Sequence, residues 1–155
     1  MTAAVTLAAL GNGPAFSAYL STNQSLSAAT NTKVTFQTEE FDTASCYDNA
    51  TNYRFTPTVA GYYQVSSVVS MGGAISRNVA IMIYKNGSQT SGKFGAGWNT
   101  GGANDQSLPV SALIYLNGST DYVEIYAYSS GATTISNGGG GVYYTYFQAA
   151  MVRGA

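Results

Sequence analysis

The sequence predicts an all-β fold, a sandwich of two antiparallel sheets with Greek-key connections. Three observations predict it. The chain carries 13 Tyr and 6 Phe alongside many Val, Ile and Thr, residue types that suit a half-buried pleated surface. Short apolar or alternating runs are separated by turn chemistry, with 18 Gly spread through the chain. Finally, no run of ten or more residues carries helical periodicity, apart from the Ala-rich first ten.

In chain order, strands are expected at Ala15–Leu20, Lys33–Gln37, Tyr53–Phe55, Tyr62–Ser70, Val79–Lys85, Val110–Leu116, Tyr122–Tyr128 and Val142–Val152. Asn86-Gly87 and Asn117-Gly118 each follow an apolar run, and Asn-Gly readily takes positive φ at both central positions of a hairpin turn. Pro57 lacks a donor for a ladder and breaks the chain before the Tyr62 strand. Two Gly-rich segments, Ser91–Leu108 and Ser129–Gly141, read as long loops. Residues 1–13 form a short apolar arm and 14–155 a single domain. A domain of this length buries about 70% of its unfolded surface.

Only 8% of residues are charged and the net charge is -1, so the polar surface is built from Ser, Thr, Asn, Gln, Gly and Tyr hydroxyls. No Lys/Arg cluster is present to release phosphate counterions, which argues against nucleic-acid binding. The opening apolar stretch has no basic residue ahead of it and is too short to span a bilayer, so neither an export signal nor membrane insertion is expected. With Cys46 as the lone cysteine, an intrachain disulfide cannot form.

The absence of histidine removes Ser-His-Asp and Cys-His catalysis and the commonest zinc ligand. Cys46, in a strand-rich region, reads as a small core residue rather than a nucleophile. Glu39, Glu40 and Asp42 are the densest acidic group. Neighbours on an extended chain point to opposite faces, so Glu39 and Glu40 make no acid/base pair, and the segment reads as a solvated loop. Asp121 and Glu124 read as structural. Gly138-Gly139-Gly140-Gly141 lacks the Lys and helix of a phosphate cradle and reads as a flexible loop. Four matches to the glycosylation acceptor pattern, at Asn23, Asn49, Asn86 and Asn117, read as chance. No catalytic residue, cofactor or metal is expected. Trp98, with Asn99, is the candidate ligand contact, since an indole on a Gly-rich loop can stack on a sugar or anchor an interface.

Alternation marks a second candidate surface. In Tyr122–Tyr128 one face carries Val123, Ile125 and Ala127, and the other Tyr122, Glu124, Tyr126 and Tyr128. Both faces of Val142–Val152 are apolar, and an apolar second face calls for cover by another layer or subunit.

Spaced segments across the chain resemble the complement C1q-like globular-head family, a relative of the tumour-necrosis-factor-like (TNF-like) proteins. They are Pro14–Ala18, Val34 and Phe36 with Phe41-Asp42 and Cys46-Tyr47-Asp48, and Tyr84–Gly87. The fullest is Tyr53–Val65, which follows an F-T-P-x-x-A-G-x-Y-x-V pattern. Leu113–Val123 and the closing Tyr146-Phe147-x-Ala149 complete the order. Two motifs depart from the family: Gly118 and Asp121 are separated by two residues, and the last strand reads Phe147-Gln148-Ala149-Ala150-Met151-Val152. The resemblance implies a jelly roll that assembles as a homotrimer, with the last strand and its neighbours lining the threefold axis. On that basis Tyr126, Tyr128, Tyr144, Tyr146 and Phe147 are the candidate trimer interface.

The expectation that follows is a non-enzymatic trimeric protein of a virion surface, that of a bacteriophage, made in the host cytoplasm. It would serve as capsid decoration, head fibre or tail-fibre component, in particle assembly or host attachment. Its partners would be other virion structural proteins and a cell-surface glycan or protein receptor. The alternative is a soluble cellular trimer with lectin-like or protein-binding activity.

Overall fold

A computed structural model describes residues 13–72, 77–99 and 106–155. The arm at 1–12 lies outside the described residues. The strands in chain order are β1 (Ala15–Tyr19), β2 (Gln24–Leu26), β3 (Thr32–Lys33), β4 (Thr38–Asp42), β5 (Tyr47–Asp48), β6 (Arg54–Phe55), β7 (Ala60–Met71) and β8 (Arg77–Lys85). They continue as β9 (Ser88–Asn99), β10 (Gln106–Asn117), β11 (Val123–Ser129), β12 (Thr133–Ser136), β13 (Gly138–Gly139), β14 (Val142–Tyr143) and β15 (Tyr146–Gly154). No helix occurs among the described residues.

Two sheets form the sandwich. One runs β2-β12-β7-β15-β1-β4, with β10 also paired to β7; the other runs β5-β6-β11-β8-β9, with β3 paired to β11. All these pairings are antiparallel. Among the described residues the first and last strands, β1 and β15, lie side by side, Ala15 opposite Ala150 and Tyr19 opposite Tyr146, and brace each other in the sheet. Alternation sets the faces. In β7, Tyr63, Val65, Ser67 and Val69 point inward while Tyr62 and Gln64 are exposed. In β10, Leu108, Val110, Ile114 and Leu116 are the buried set. Pro109 fits there because, among the described residues, β10 has a ladder only with β7.

The core between the sheets is aromatic. Phe16 stacks on Tyr47 and Phe55 with centroids 4.6 and 4.7 Å apart, and meets Phe147 edge-on at 4.8 Å. Each phenol here finds a partner, Tyr47 donating to Phe36 O (3.1 Å) and Tyr63 to Val59 O (2.7 Å). That removes the penalty of burying a hydroxyl unpaired. Burial raises the Tyr47 phenol far above its usual range and pushes Tyr63 up to about 12. Cys46 is buried in this cluster, as its reading as a core residue expects.

Several local expectations are corrected. Of Lys33–Gln37 only Lys33 is strand, as the end of β3, and Val34 N still donates to Ile125 O of β11 (2.9 Å). Beyond it the Gln24 carboxamide takes the place of a ladder, accepting from Thr35 N (3.0 Å) and donating to Lys33 O (2.7 Å). The Gly-rich segment from Ser91 is strand β9 as far as Asn99, because β8 offers its backbone a partner; Gly95 and Gly97 sit opposite Ile81 and Val79. Within Ser129–Gly141, β12 and the β13–β14 hairpin replace a loop. Val142–Val152 is broken at Tyr144-Thr145, where the buried Thr145 hydroxyl donates to Ser136 O (2.6 Å) and accepts from Ser70 N (3.0 Å). Glu39, Glu40 and Asp42 belong to edge strand β4, not a loop.

The two Asn-Gly turns differ. Asn86 (φ 54) and Gly87 (φ 73) both have positive φ, as expected of a tight hairpin. At the second turn only Gly118 (φ 71) does. Asn117 instead caps the turn through Oδ1, accepting from the amides of Ser119, Thr120 and Asp121.

Candidate functional site

The sequence places the candidate interface on one aromatic surface, and the structure divides it. Tyr126 and Tyr128 lie on β11, in the sheet opposite β15, so their outward side points away from that of Tyr146. Tyr126 is occupied within the protomer. Its ring stacks on Tyr84 at 4.0 Å, Lys33 lies 5.9 Å from its centroid, and burial raises its phenol pKa. Beside it Lys33 pairs with the buried carboxylate of Glu124. Phe147 is fully buried in the core, because adjacent residues of a strand face opposite ways and Tyr146 holds the outer side. Tyr144 is exposed in the break before β15. Trp98 and Asn99 sit on edge strand β9, opposite Asn78 and Arg77, rather than on a loop.

The outer face of the β7–β15 sheet is built in rows fixed by register. Tyr115 faces Tyr62 across β10 and β7, with ring centroids 5.5 Å apart. Leu113, Gln64, Ala150 and Ala15 form the next row. Ser111, Ser66, Gln148, Ser17 and Phe41 form the third. Gln64 Nε2 links the two rows by donating to Ser111 (2.7 Å), and in the third Gln148 Nε2 donates to Ser66 (3.2 Å) and Ser17 to Glu40 Oε2 (2.6 Å). Here Arg153 is the one charged residue from β7, β10 and β15.

Two concavities occupy this face. At the β7–β10 end, a cleft of about 620 Å³ is lined by Tyr62, Leu113, Tyr115, Val152 and Arg153 with the C-terminal residues. Leu113 is 54% exposed, Val152 46%, Tyr115 42% and Tyr62 41%. Four large apolar side chains this open, on adjoining strands, form a contiguous patch of the kind that marks an interaction surface. Lys85 flanks it, donating to Tyr115 O (2.7 Å) with its ammonium 5.8 Å from the Tyr115 ring, while paired to Asp121 at 2.9 Å. Burial works against the Asp121 charge, but hydrogen bonds from Asn86 and Lys85 outweigh it and lower its pKa.

At the β1–β4 end, a second cleft of about 360 Å³ is lined by Ser17, Tyr19, Glu40, Tyr143, Tyr146 and Gln148, beside Gly141 and Val142. The β13–β14 hairpin forms its wall, turning through Gly140 and Gly141 at φ 63 and 82. The hairpin lays Tyr143 on Tyr19 at a centroid distance of 3.6 Å. A hydrogen bond with Tyr143, then partial desolvation, raises the Tyr19 phenol pKa.

Alternation could have found the first patch, since Ala112-Leu113-Ile114-Tyr115-Leu116 is apolar on both faces, as Val142–Val152 is. The second joins residues more than a hundred positions apart, and no local pattern carries it. Among the described residues no group of three or more His, Cys, Asp or Glu could hold a metal ion, and no helix is long and apolar enough to cross a membrane.

No protein-family model and no curated protein matches this chain. Solved structures do. Murine APRIL at pH 5.0 is similar over 90% of this chain and 99% of its own, with a TM-score of 0.63 and 11% identity. Eiger TNF from S. frugiperda is similar over 92% and 93%, with 0.61 and 9%. The PRD1 vertex protein P5 is similar over 92% and 99%, with 0.65 and 17%. At such identities the likeness speaks for fold. The chain is an all-β jelly roll of the TNF-like kind, aligned over nearly its whole length.

Proposed function

We propose that this protein is a non-enzymatic homotrimer that serves as a surface component of a virion, in particle assembly or host attachment. The observation that carries the trimer is the apolar patch of Tyr62, Leu113, Tyr115 and Val152, bordered by Arg153, on the outer face of the sheet holding the last strand. A free protomer would leave that patch in water, and a chain with 8% charged residues has little else to keep it dispersed. Three copies brought together on the β7–β10 end would cover it. The virion setting is supported by the likeness to a vertex protein at 17% identity and by the nearly uncharged, Ser/Thr/Asn-rich composition. Trp98 and Asn99, at the end of edge strand β9, are the proposed attachment contacts on the far sheet.

Light scattering on the purified chain tests the trimer: the expected mass is three times the 16.1 kDa of the chain. A monomeric mass at micromolar concentration would count against the assembly. Co-migration with particles in a density gradient tests the setting, and a chain recovered only in the soluble fraction would count against it.

A further inference from the structure

We propose that the cleft between β1, β4, β15 and the β13–β14 hairpin is a binding site for a neutral saccharide. The inference goes beyond the attachment contacts proposed at Trp98 and Asn99 and names a second site, on the opposite sheet. It rests on the trimer only in that the cleft must stay open after assembly.

The chemistry of the lining carries it. A sugar ring presents a flat patch of C–H groups and a rim of hydroxyls, each both donor and acceptor. The complementary site is an aromatic face beside planar amide or carboxylate groups. Tyr143 supplies the face: one side of its ring is backed by Tyr19 at 3.6 Å, and the side chain is still 42% exposed. The stack holds the ring in place, so a ligand meets a fixed platform and less freedom is lost on binding. Glu40, Gln148 and Ser17 supply the rim. One Glu40 oxygen is held by the Ser17 hydroxyl at 2.6 Å, which orients the carboxylate and leaves Oε1 as an acceptor toward the cleft. The Gln148 carboxamide is fixed by donating to Ser66, which leaves its oxygen as a second acceptor.

A cationic peptide is the competing occupant. A single carboxylate, half of it committed to Ser17, gives less to a cation than the amide, hydroxyls and flat ring give to a sugar. The volume of about 360 Å³ suits one or two hexose units.

The test uses the intact protein and four probes, methyl glucoside, methyl galactoside, methyl mannoside and N-acetylglucosamine, in saturation-transfer NMR at about 5 mM each. Transfer to at least one probe is expected. Tyr143→Ala and Glu40→Ala, both on exposed positions, are each expected to weaken it about tenfold or more, while Lys93→Gln, at an exposed position of β9 on the other sheet, leaves it unchanged. Far-UV circular dichroism confirms that each variant is folded. No transfer to any probe overturns the proposal, whether the cleft has no affinity or is covered in the assembly. So does binding indifferent to Tyr143→Ala and Glu40→Ala, or lost in Lys93→Gln. Binding that collapses between about 0.05 and about 0.5 M NaCl would assign the cleft to a cation instead. Light scattering on the same samples reads the trimer separately: sugar binding by a monomer would defeat the assembly and leave this site standing.

Discussion

Leu113→Asp is the sharpest test of the assembly. Leu113 is the most exposed member of the β10 patch and stands opposite Gln64, in a row without a cation; Arg153 lines the same cleft and would answer a new carboxylate, so Leu113→Asp is made and read in an Arg153→Gln background. Tyr115 is a poorer choice, because the Lys85 ammonium lies 5.8 Å from its ring and would pair with an introduced Asp. A charge desolvated without a partner costs about 3–5 kcal/mol. Threefold symmetry introduces three, about 9–15 kcal/mol per trimer. Because trimerisation depends on the square of free protomer concentration, about 2.8 kcal/mol moves the midpoint tenfold. The concentration at half-assembly should therefore rise about a thousandfold or more. Sedimentation velocity across a dilution series reads this directly, with Tyr128→Asp on the opposite sheet as a control that keeps the trimer. Unchanged sedimentation of a folded Leu113→Asp protein would refute the placement of the interface.

Phe147→Ala should act on the fold rather than the interface. Its ring is fully buried against Phe16, Phe36 and Tyr47, so about 3–5 kcal/mol of stability and about 10 °C or more of Tm should be lost in thermal melts. A Tm within a degree or two of the parent would contradict that core. Asp48, whose carboxylate accepts from the Thr51 and Ala50 amides, has its pKa lowered to about 2. Depression means its contribution is present above the unfolded pKa of about 4 and lost as pH falls through about 2. Asp48→Asn should therefore be less stable than the parent at pH 7 in urea titrations, with the gap closing by about pH 2; a gap that persists there would refute the assignment. Gly118→Ala should cost more than Gly140→Ala. Both have positive φ, worth about 1–2 kcal/mol each, but a Cβ at Gly118 would lie 2.3 Å from Ala60 N, whereas nothing lies within 4 Å at Gly140. Equal urea midpoints would show that the turn shifts freely.

Most of the sandwich is legible wherever side chains alternate. The bodies of β7, β8, β10, β11 and β15 follow from period-two burial, and the Asn86-Gly87 turn from the φ it demands. The missed strands are those whose residues have no strand preference of their own. β9 is rich in Gly and pairs because β8 needs a neighbour, and β12 sits where β15 has not yet begun to cover β7. Tertiary pairing overrides propensity in both. Register across sheets is a further step removed from local pattern. Nothing within Tyr122–Tyr128 says which sheet it joins, so tyrosines with the same alternation read as one surface where the fold sends them to opposite sheets.

The distribution of charge connects the two concavities. Two of the few ion pairs, Lys85–Asp121 and Lys33–Glu124, tie elements of the protomer together, and Asp42 and Asp48 accept backbone amides in turns. These carboxylates are committed to structure, which leaves the β7–β10 face to apolar contact and the β1–β4 face to hydroxyls, amides and one oriented carboxylate. Apolar rings at one end of a sheet gain by excluding water. A fixed aromatic platform beside polar groups gains by exchanging water for a hydroxylated ligand. The registers of β15 against β7 and of β1 against β15 hold both kinds of surface on one rigid sheet, the small row of Ser111, Ser66, Gln148 and Ser17 running past them. An assembly closed over the first end can therefore display the second without any change of backbone.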